Sequence, residues 1–106
     1  MVYELLWVEG VEEDLRTNFD DNFCIKIISK LQFIANSKDP FLLTDRIQGF
    51  PSNIRKLKLS NFRLFLDIRK VAEIIYCLAI INRNEAYKSK SLKHILTISR
   101  NIKQPN

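Results

Sequence analysis

From residue 54 onward the apolar side chains recur at every second position, and this change of period constrains the fold more than any other feature of the chain. In Ile54–Leu59, Leu57 and Leu59 point one way while Lys56 and Lys58 point the other. In Phe62–Arg69, Phe62, Leu64, Leu66 and Ile68 share one face, and Arg63, Phe65, Asp67 and Arg69 share the opposite one. Ser60-Asn61 between the two runs reads as a two-residue turn. Residues 72–81, AEIIYCLAII, are apolar on both faces, as suits a central strand covered on both sides. The second half therefore reads as three consecutive antiparallel strands joined by short turns.

The first half has a different rhythm. Residues 2–8, VYELLWV, are apolar and β-prone and read as a first strand. Over residues 10–18, Val11 and Leu15 repeat at helical spacing with Phe19 one turn on, and Glu12, Glu13 and Asp14 fill the first turn, where the helix dipole favours acids. A second helix begins near Asp20 or Asp21, either of which suits a cap, and carries Phe23, Ile27, Leu31 and Ile34 as one stripe. Asn36-Ser37-Lys38-Asp39-Pro40 ends it, since proline cannot continue a helix. The pair reads as a helical hairpin with an acidic outer face. Residues 40–53 read as a loop punctuated by Gly49, Pro51 and Ser52. Residues 82–88 are polar, and a last helix from about Ser91 places Leu92, Ile95, Ile98, Ser99 and Ile102 on or near one side. The expected architecture is α+β: an N-terminal strand, an α-helical hairpin, a three-stranded antiparallel meander in a small twisted sheet, and a C-terminal helix. A chain of 106 residues with 46% hydrophobic content suits one domain, residues 1–106, around one core.

The net charge of +5 conceals an asymmetry. Residues 1–53 carry nine acids against five lysines and arginines, whereas residues 54–106 carry twelve lysines and arginines against three acids. Basic charge gathered in one half suggests a polyanionic partner. A surface that is merely soluble is the other reading of the same charges. Cys24 and Cys77 sit in apolar runs without a metal-ligand neighbour, so buried free thiols are expected, and no metal or cofactor site is read from the sequence. No apolar stretch approaches the roughly 20 residues that span a bilayer, and the N-terminus lacks the pattern of a signal peptide. The expected compartment is a reducing cytoplasm, with no membrane partner.

The candidate chemistry lies on the basic strands. Lys56 and Lys58 share a strand face, and Arg63 joins them if the faces of the two strands coincide, as the leucine pattern requires. Arg83 and Tyr87 follow the third strand and are placed to reach the same side, while Phe65, alternating with Arg63, is expected to set an aromatic ring beside the cations. Cations with aromatic neighbours suit single-stranded nucleic acid, because phosphates pair with the charges and bases stack on the rings. Lysines on an outward strand face also serve simply to keep that surface soluble. Arg55, Arg69, Lys88 and Lys90 are further candidate RNA contacts, Lys93 and Lys103 general basic charge, and His94 a surface residue of the last helix.

The segment IRKLKLSNFRLFLDIRKVAEIIYCLAIINRNEAY resembles the core of the RelE/ParE toxins: a lysine-rich strand, a short turn, a strand opening with Tyr/Phe-Arg-Leu, an apolar strand, and an Arg-x-Glu-x-Tyr-like ending. The order of elements agrees as well. The resemblance implies a ribosome-associated, metal-independent endoribonuclease that cleaves mRNA, needs no cofactor, and is held inactive by a cognate antitoxin. In such enzymes the RNA 2′-hydroxyl attacks the adjacent phosphorus. By resemblance, Lys56 and Lys58 are the paired lysines, one helping to deprotonate the 2′-hydroxyl and one neutralising phosphate; neighbouring cations make a lysine readier to act as a base. Arg63 matches the arginine that stabilises the charged phosphorane, Arg83 one near the leaving 5′-oxygen, and Tyr87 a tyrosine that positions the nucleotide. The chain departs from the pattern at Asn61, where Gly or Asp is frequent, at the spacing from Arg83 to Tyr87, which is shorter than in some members, and at Ala86, where members with a Glu/His pair keep the histidine. The same scaffold also implies two alternatives, a ParE-like inhibitor of DNA gyrase and a catalytically degenerate RNA-binding relative. Retention of Lys56, Lys58, Arg63 and Tyr87 together favours the nuclease.

Overall fold

The computed structural model describes residues 3–102. Val2, the expected start of the first strand, and Lys103 lie outside the described residues. Strand β1 (Glu4–Trp7) leads into helices α1 (Val11–Asn18) and α2 (Asp21–Ala35), followed by a 3₁₀ turn (Pro40–Leu43) and strands β2 (Asp45–Arg46), β3 (Ile54–Leu59), β4 (Phe62–Arg69) and β5 (Ile74–Asn82); α3 (Arg83–Ala86) and α4 (Ser89–Arg100) complete the chain. The architecture is α+β, with a mixed sheet in the order β1-β5-β4-β3-β2. β3, β4 and β5 form the expected antiparallel meander, and β1 lies parallel to β5 at one edge.

Three stretches differ from the sequence expectation. The loop over residues 40–53 contains the 3₁₀ turn and the short edge strand β2, which pairs with β3. The polar stretch after β5 folds into α3, and α4 starts at Ser89, earlier than Ser91. The second helix, by contrast, begins as expected: Asp20, one of the two candidate caps, accepts from the Phe23 N–H through its side chain.

The sheet is covered on both faces. Leu15, Ile27, Leu31 and Ile34 of α1 and α2 pack on Leu57, Leu64, Leu66, Ile68, Ile75 and Cys77. The other face carries a second core in which Ile54, Phe65, Tyr76 and Leu78 meet Ala86 and Ile95 from α3 and α4. A register shift where β4 passes Phe65/Leu66 leaves Leu78 of β5 as the extra residue, so Tyr76, Leu78 and Ala79 all serve the second core. Because α4 lies over one end of this second face only, burial falls along the strands. On β3, Ile54 is 1% exposed, Lys56 is half-buried and Lys58 is exposed; on β4, Asp67 and Phe65 are fully buried and Arg63 is half-buried. The uncovered end of this face holds the candidate site.

Candidate functional site: a cationic cleft at the open end of the sheet

β3 and β4 pair with Lys58 opposite Arg63 and Lys56 opposite Phe65, so the lysine face of β3 and the arginine face of β4 coincide, as the leucine spacing requires. The Ser60-Asn61 turn closes the hairpin with Ser60 at φ 55, the left-handed region. The Asn61 carbonyl accepts from the Arg83 N–H at 2.8 Å, which fixes the start of α3 against this turn. Asn82 caps that helix by accepting from the Asn84 N–H. Tyr87 ends it, and so is delivered over the sheet face.

There Lys56, Lys58, Arg63 and Tyr87, together with Asp45 of β2, line one open cavity of about 200 Å³. The Lys56 ammonium sits 4.9 Å from the centre of the Tyr87 ring, a cation–π contact. Tyr87 is 46% exposed, and its ring meets the Phe65 ring edge-on, with centroids 6.5 Å apart. One Arg63 nitrogen, Nη1, donates to the Phe62 carbonyl at 2.9 Å and the Ser60 carbonyl at 3.3 Å, holding the guanidinium over the turn. Its remaining N–H groups, and the Lys58 ammonium, have no protein partner among the described residues. Three cations with unspent donors around a small open cavity make a site for a phosphate-sized anion, with an aromatic ring beside it.

The remaining expected residues separate into distinct roles. Phe65 is fully buried and does not stand open beside the cations; α3 covers it, and its role is to support the Tyr87 ring. Arg69 is also buried: it pairs with Asp67 at 2.8 Å and donates to the Ser99 carbonyl of α4 at 3.1 Å, so it is a structural ion pair and not an RNA contact. Its face of β4 lies under α4, which the alternation in the sequence does not reveal. Arg55 faces away from the cleft. Its guanidinium donates to Thr44 Oγ1 and to the carbonyls of Thr44 and Phe41, and stacks on the Phe41 ring, clamping the segment that carries Asp45. Arg83 is exposed but does not line the cavity. Lys88 is exposed and paired with Glu85 at 2.9 Å, while Lys90 is exposed on the first turn of α4. His94 is exposed, Cys77 is buried and Cys24 is half-buried, both thiols being free.

Asp45 is the cleft residue that the sequence does not mark. It sits in a stretch without alternation, and only the pairing of β2 with β3 brings it opposite Lys56.

No protein-family model matches the sequence, and no curated protein matches it significantly. The fold, however, is similar to solved structures. A mutant of the Escherichia coli toxin RelE in the free state superimposes with a TM-score of 0.72 at 18% identity, covering 96% of this chain and 100% of that one. A chain of the RelBE2 toxin–antitoxin complex from Mycobacterium tuberculosis gives 0.66 at 11% identity, over 78% of this chain and 93% of that one. A chain of the intact E. coli RelBE toxin–antitoxin complex gives 0.62 at 18% identity, over 76% and 95% respectively. At these identities the likeness is one of fold.

Proposed function

We propose that this chain is the toxin of a type II toxin–antitoxin pair, an endoribonuclease that cleaves mRNA at the ribosome and so inhibits translation. The observation that carries the reading is the convergence of Lys56, Lys58, Arg63 and Tyr87 on one cavity. The resemblance of the sequence to RelE toxins named these four residues, and the fold likeness to RelE structures is consistent with it. Fold alone does not assign an activity; the reading rests on the side chains in the cleft.

In this reading the scissile phosphate sits between Lys58 and Arg63, whose charges offset the negative charge that grows as the 2′-oxygen attacks phosphorus. Donors held in place before the reaction stabilise that charge without reorganising. Tyr87 stacks on a base next to the cleaved bond, its ring held by Phe65 beneath and Lys56 beside it. The exposed Lys90 and Lys93 add sequence-independent attraction to ribosomal RNA. The cognate antitoxin supplies an acidic and apolar segment that covers the cleft, with displacement of α4 as one means of neutralisation. The protein acts in the cytoplasm, without metal or cofactor.

The test is to map RNA ends after induction in growing cells. New mRNA ends with wild-type protein, and none with a folded Lys58→Ala variant, are expected. Intact mRNA with altered DNA supercoiling would replace this reading with gyrase inhibition.

A further inference from the structure

β5 is an inner strand of the sheet for only part of its length. β1 pairs with it over Ile74–Cys77, and the Val8 N–H then donates to the Cys77 carbonyl at 3.1 Å. Gly10, at φ 87, turns the chain away into α1. Beyond Cys77, β5 has β4 on one side and, among the described residues, no strand on the other. This free edge is the floor of a cavity of about 560 Å³, which Leu78, Ala79, Ile80 and Ile81 all line. Ile80 packs toward the core under α1 and α2, and Ile81 toward the core under α4. A cavity that meets both therefore opens on the edge of the strand and not on either face. Val11 of α1 and Ile98 of α4 form its walls.

An unpaired edge normally carries a lysine or a proline that discourages another strand. Over residues 78–81 this one reads Leu-Ala-Ile-Ile and faces an apolar groove. An extended peptide satisfies the open backbone groups and fills the groove at once, by adding a strand. The rim specifies its charge. Glu9 and Asp14 line the groove, and neither carboxylate has a hydrogen bond or ion pair among the described residues. His94 is the other ionisable group of the lining, which includes no lysine or arginine. In a chain with 17 lysines and arginines, such a rim favours a basic partner.

We infer that this groove docks an extended segment of a partner protein, apolar over about four residues (~13 Å) and basic at its ends, which adds a strand to β5. A second copy of this chain is a poor occupant. Joining two β5 edges about a twofold axis sets α1 beside α1 and brings the carboxylates of both copies together. The acidic segment proposed to cover the cationic cleft is repelled for the same reason. Groove and cleft share no lining residue, so the two surfaces take different partners.

The probe is a capped peptide with a lysine at each end and about four apolar residues between, titrated into the full chain and followed by backbone amide resonances. Binding should shift the amides of residues 78–82 and slow their exchange. Methylating alternate backbone nitrogens of the peptide removes about two hydrogen bonds and should weaken binding about tenfold or more. Glutamates in place of the lysines should weaken it about threefold or more, and so should the Glu9→Gln, Asp14→Asn double variant. Both acids are exposed, so the variant keeps its fold, checked by circular dichroism. No shift at millimolar peptide would overturn the docking outright. Binding indifferent to N-methylation would refute strand addition and leave a site for a small apolar molecule. Equal binding of the glutamate peptide would refute the basic partner. Shifts of the same amides that grow with protein concentration alone would put a second copy in the groove. Loss of peptide uptake in the complex with the antitoxin would assign the groove to the antitoxin and overturn the proposal. Every readout is taken without RNA, so failure here leaves the ribonuclease reading standing, and failure of that reading leaves the groove.

Discussion

The Lys56 ammonium lies 4.9 Å from the centre of the Tyr87 ring. These residues come from β3 and the end of α3, and their contact joins the cation row of the sheet to the one exposed aromatic ring beside it. The ring rests edge-on against buried Phe65, so its position is fixed from below while its outer side stays open.

Replacing Tyr87 with alanine therefore removes a stacking surface and little else. Base–aromatic stacking is worth about 1–3 kcal/mol, so RNA cleavage by Tyr87→Ala should drop roughly five- to 150-fold, with Tyr87→Phe close to wild type. Urea midpoints of all three proteins should agree, since the ring is already half in solvent. A steep loss of stability in Tyr87→Ala would show that the ring supports the core and not a ligand.

Arg55 gives a second, indirect handle on the cleft. Its guanidinium makes three hydrogen bonds to Phe41 and Thr44 and stacks on Phe41. Arg55→Ala should cost about 1.5–3 kcal/mol in chemical denaturation, the range for hydrogen bonds to a charged group. It should also reduce cleavage, because the clamped segment runs into β2, which forms one wall of the cavity opposite Lys56. Arg55→Lys should not restore either, since an ammonium lacks the planar fork. Full activity in Arg55→Ala would separate the clamp from the site.

α4 is fastened by a buried polar cluster. Asp67 accepts from the Asn53 side-chain amide at 2.8 Å, the Arg69 guanidinium at 2.8 Å and the Ser99 hydroxyl at 2.7 Å. Removing the carboxylate breaks a buried ion pair and the hydrogen bonds of Asn53 and Ser99 with it, so Asp67→Ala should destabilise the protein by about 3–5 kcal/mol. Ser99→Ala should cost about 1–2 kcal/mol and speed amide exchange in α4 more than in α2. Equal exchange in both helices would contradict the fastening role.

The pH dependence of stability follows from Cys77. Burial pushes its thiol up from 9.0 to about 12. Raising the folded value favours the protonated form, so this contribution is whole below pH 9.0 and is lost as pH climbs toward about 12. Burial also raises Tyr76, whose hydroxyl has no hydrogen-bond partner among the described residues, and Tyr3, adding to the same slope. Urea midpoints should therefore fall above pH 9.0, and fall less steeply in Cys77→Ala. In native protein at pH 8, thiol reagent should reach half-buried Cys24 before Cys77. An identical slope in Cys77→Ala would remove the thiol from the account.

Much of this was legible in the sequence because alternation reports strand parity directly. The faces of β3 and β4 coincide as Leu57, Leu64 and Leu66 require, and the helix spacing of Phe23, Ile27, Leu31 and Ile34 gave α2. What alternation does not report is which part of a face is covered. Asp67 and Arg69 share parity with Arg63, yet they are buried under α4 while Arg63 borders the cleft. Phe65 is lost to the site for the same reason, beneath α3. Asp45 was invisible because a two-residue edge strand has no period, and its place depends on a pairing with β3 that local sequence does not encode.

The central claim is that Lys58 and Arg63 act on RNA phosphate in this cleft. The most direct measurement is end-mapping of mRNA after induction of wild type, Lys58→Ala and Arg63→Ala, each shown to be folded by its thermal midpoint. Wild type should produce new 5′-hydroxyl ends within coding sequences and arrest growth, and neither variant should do so. Folded variants that cut mRNA and arrest growth as wild type does would contradict the claim.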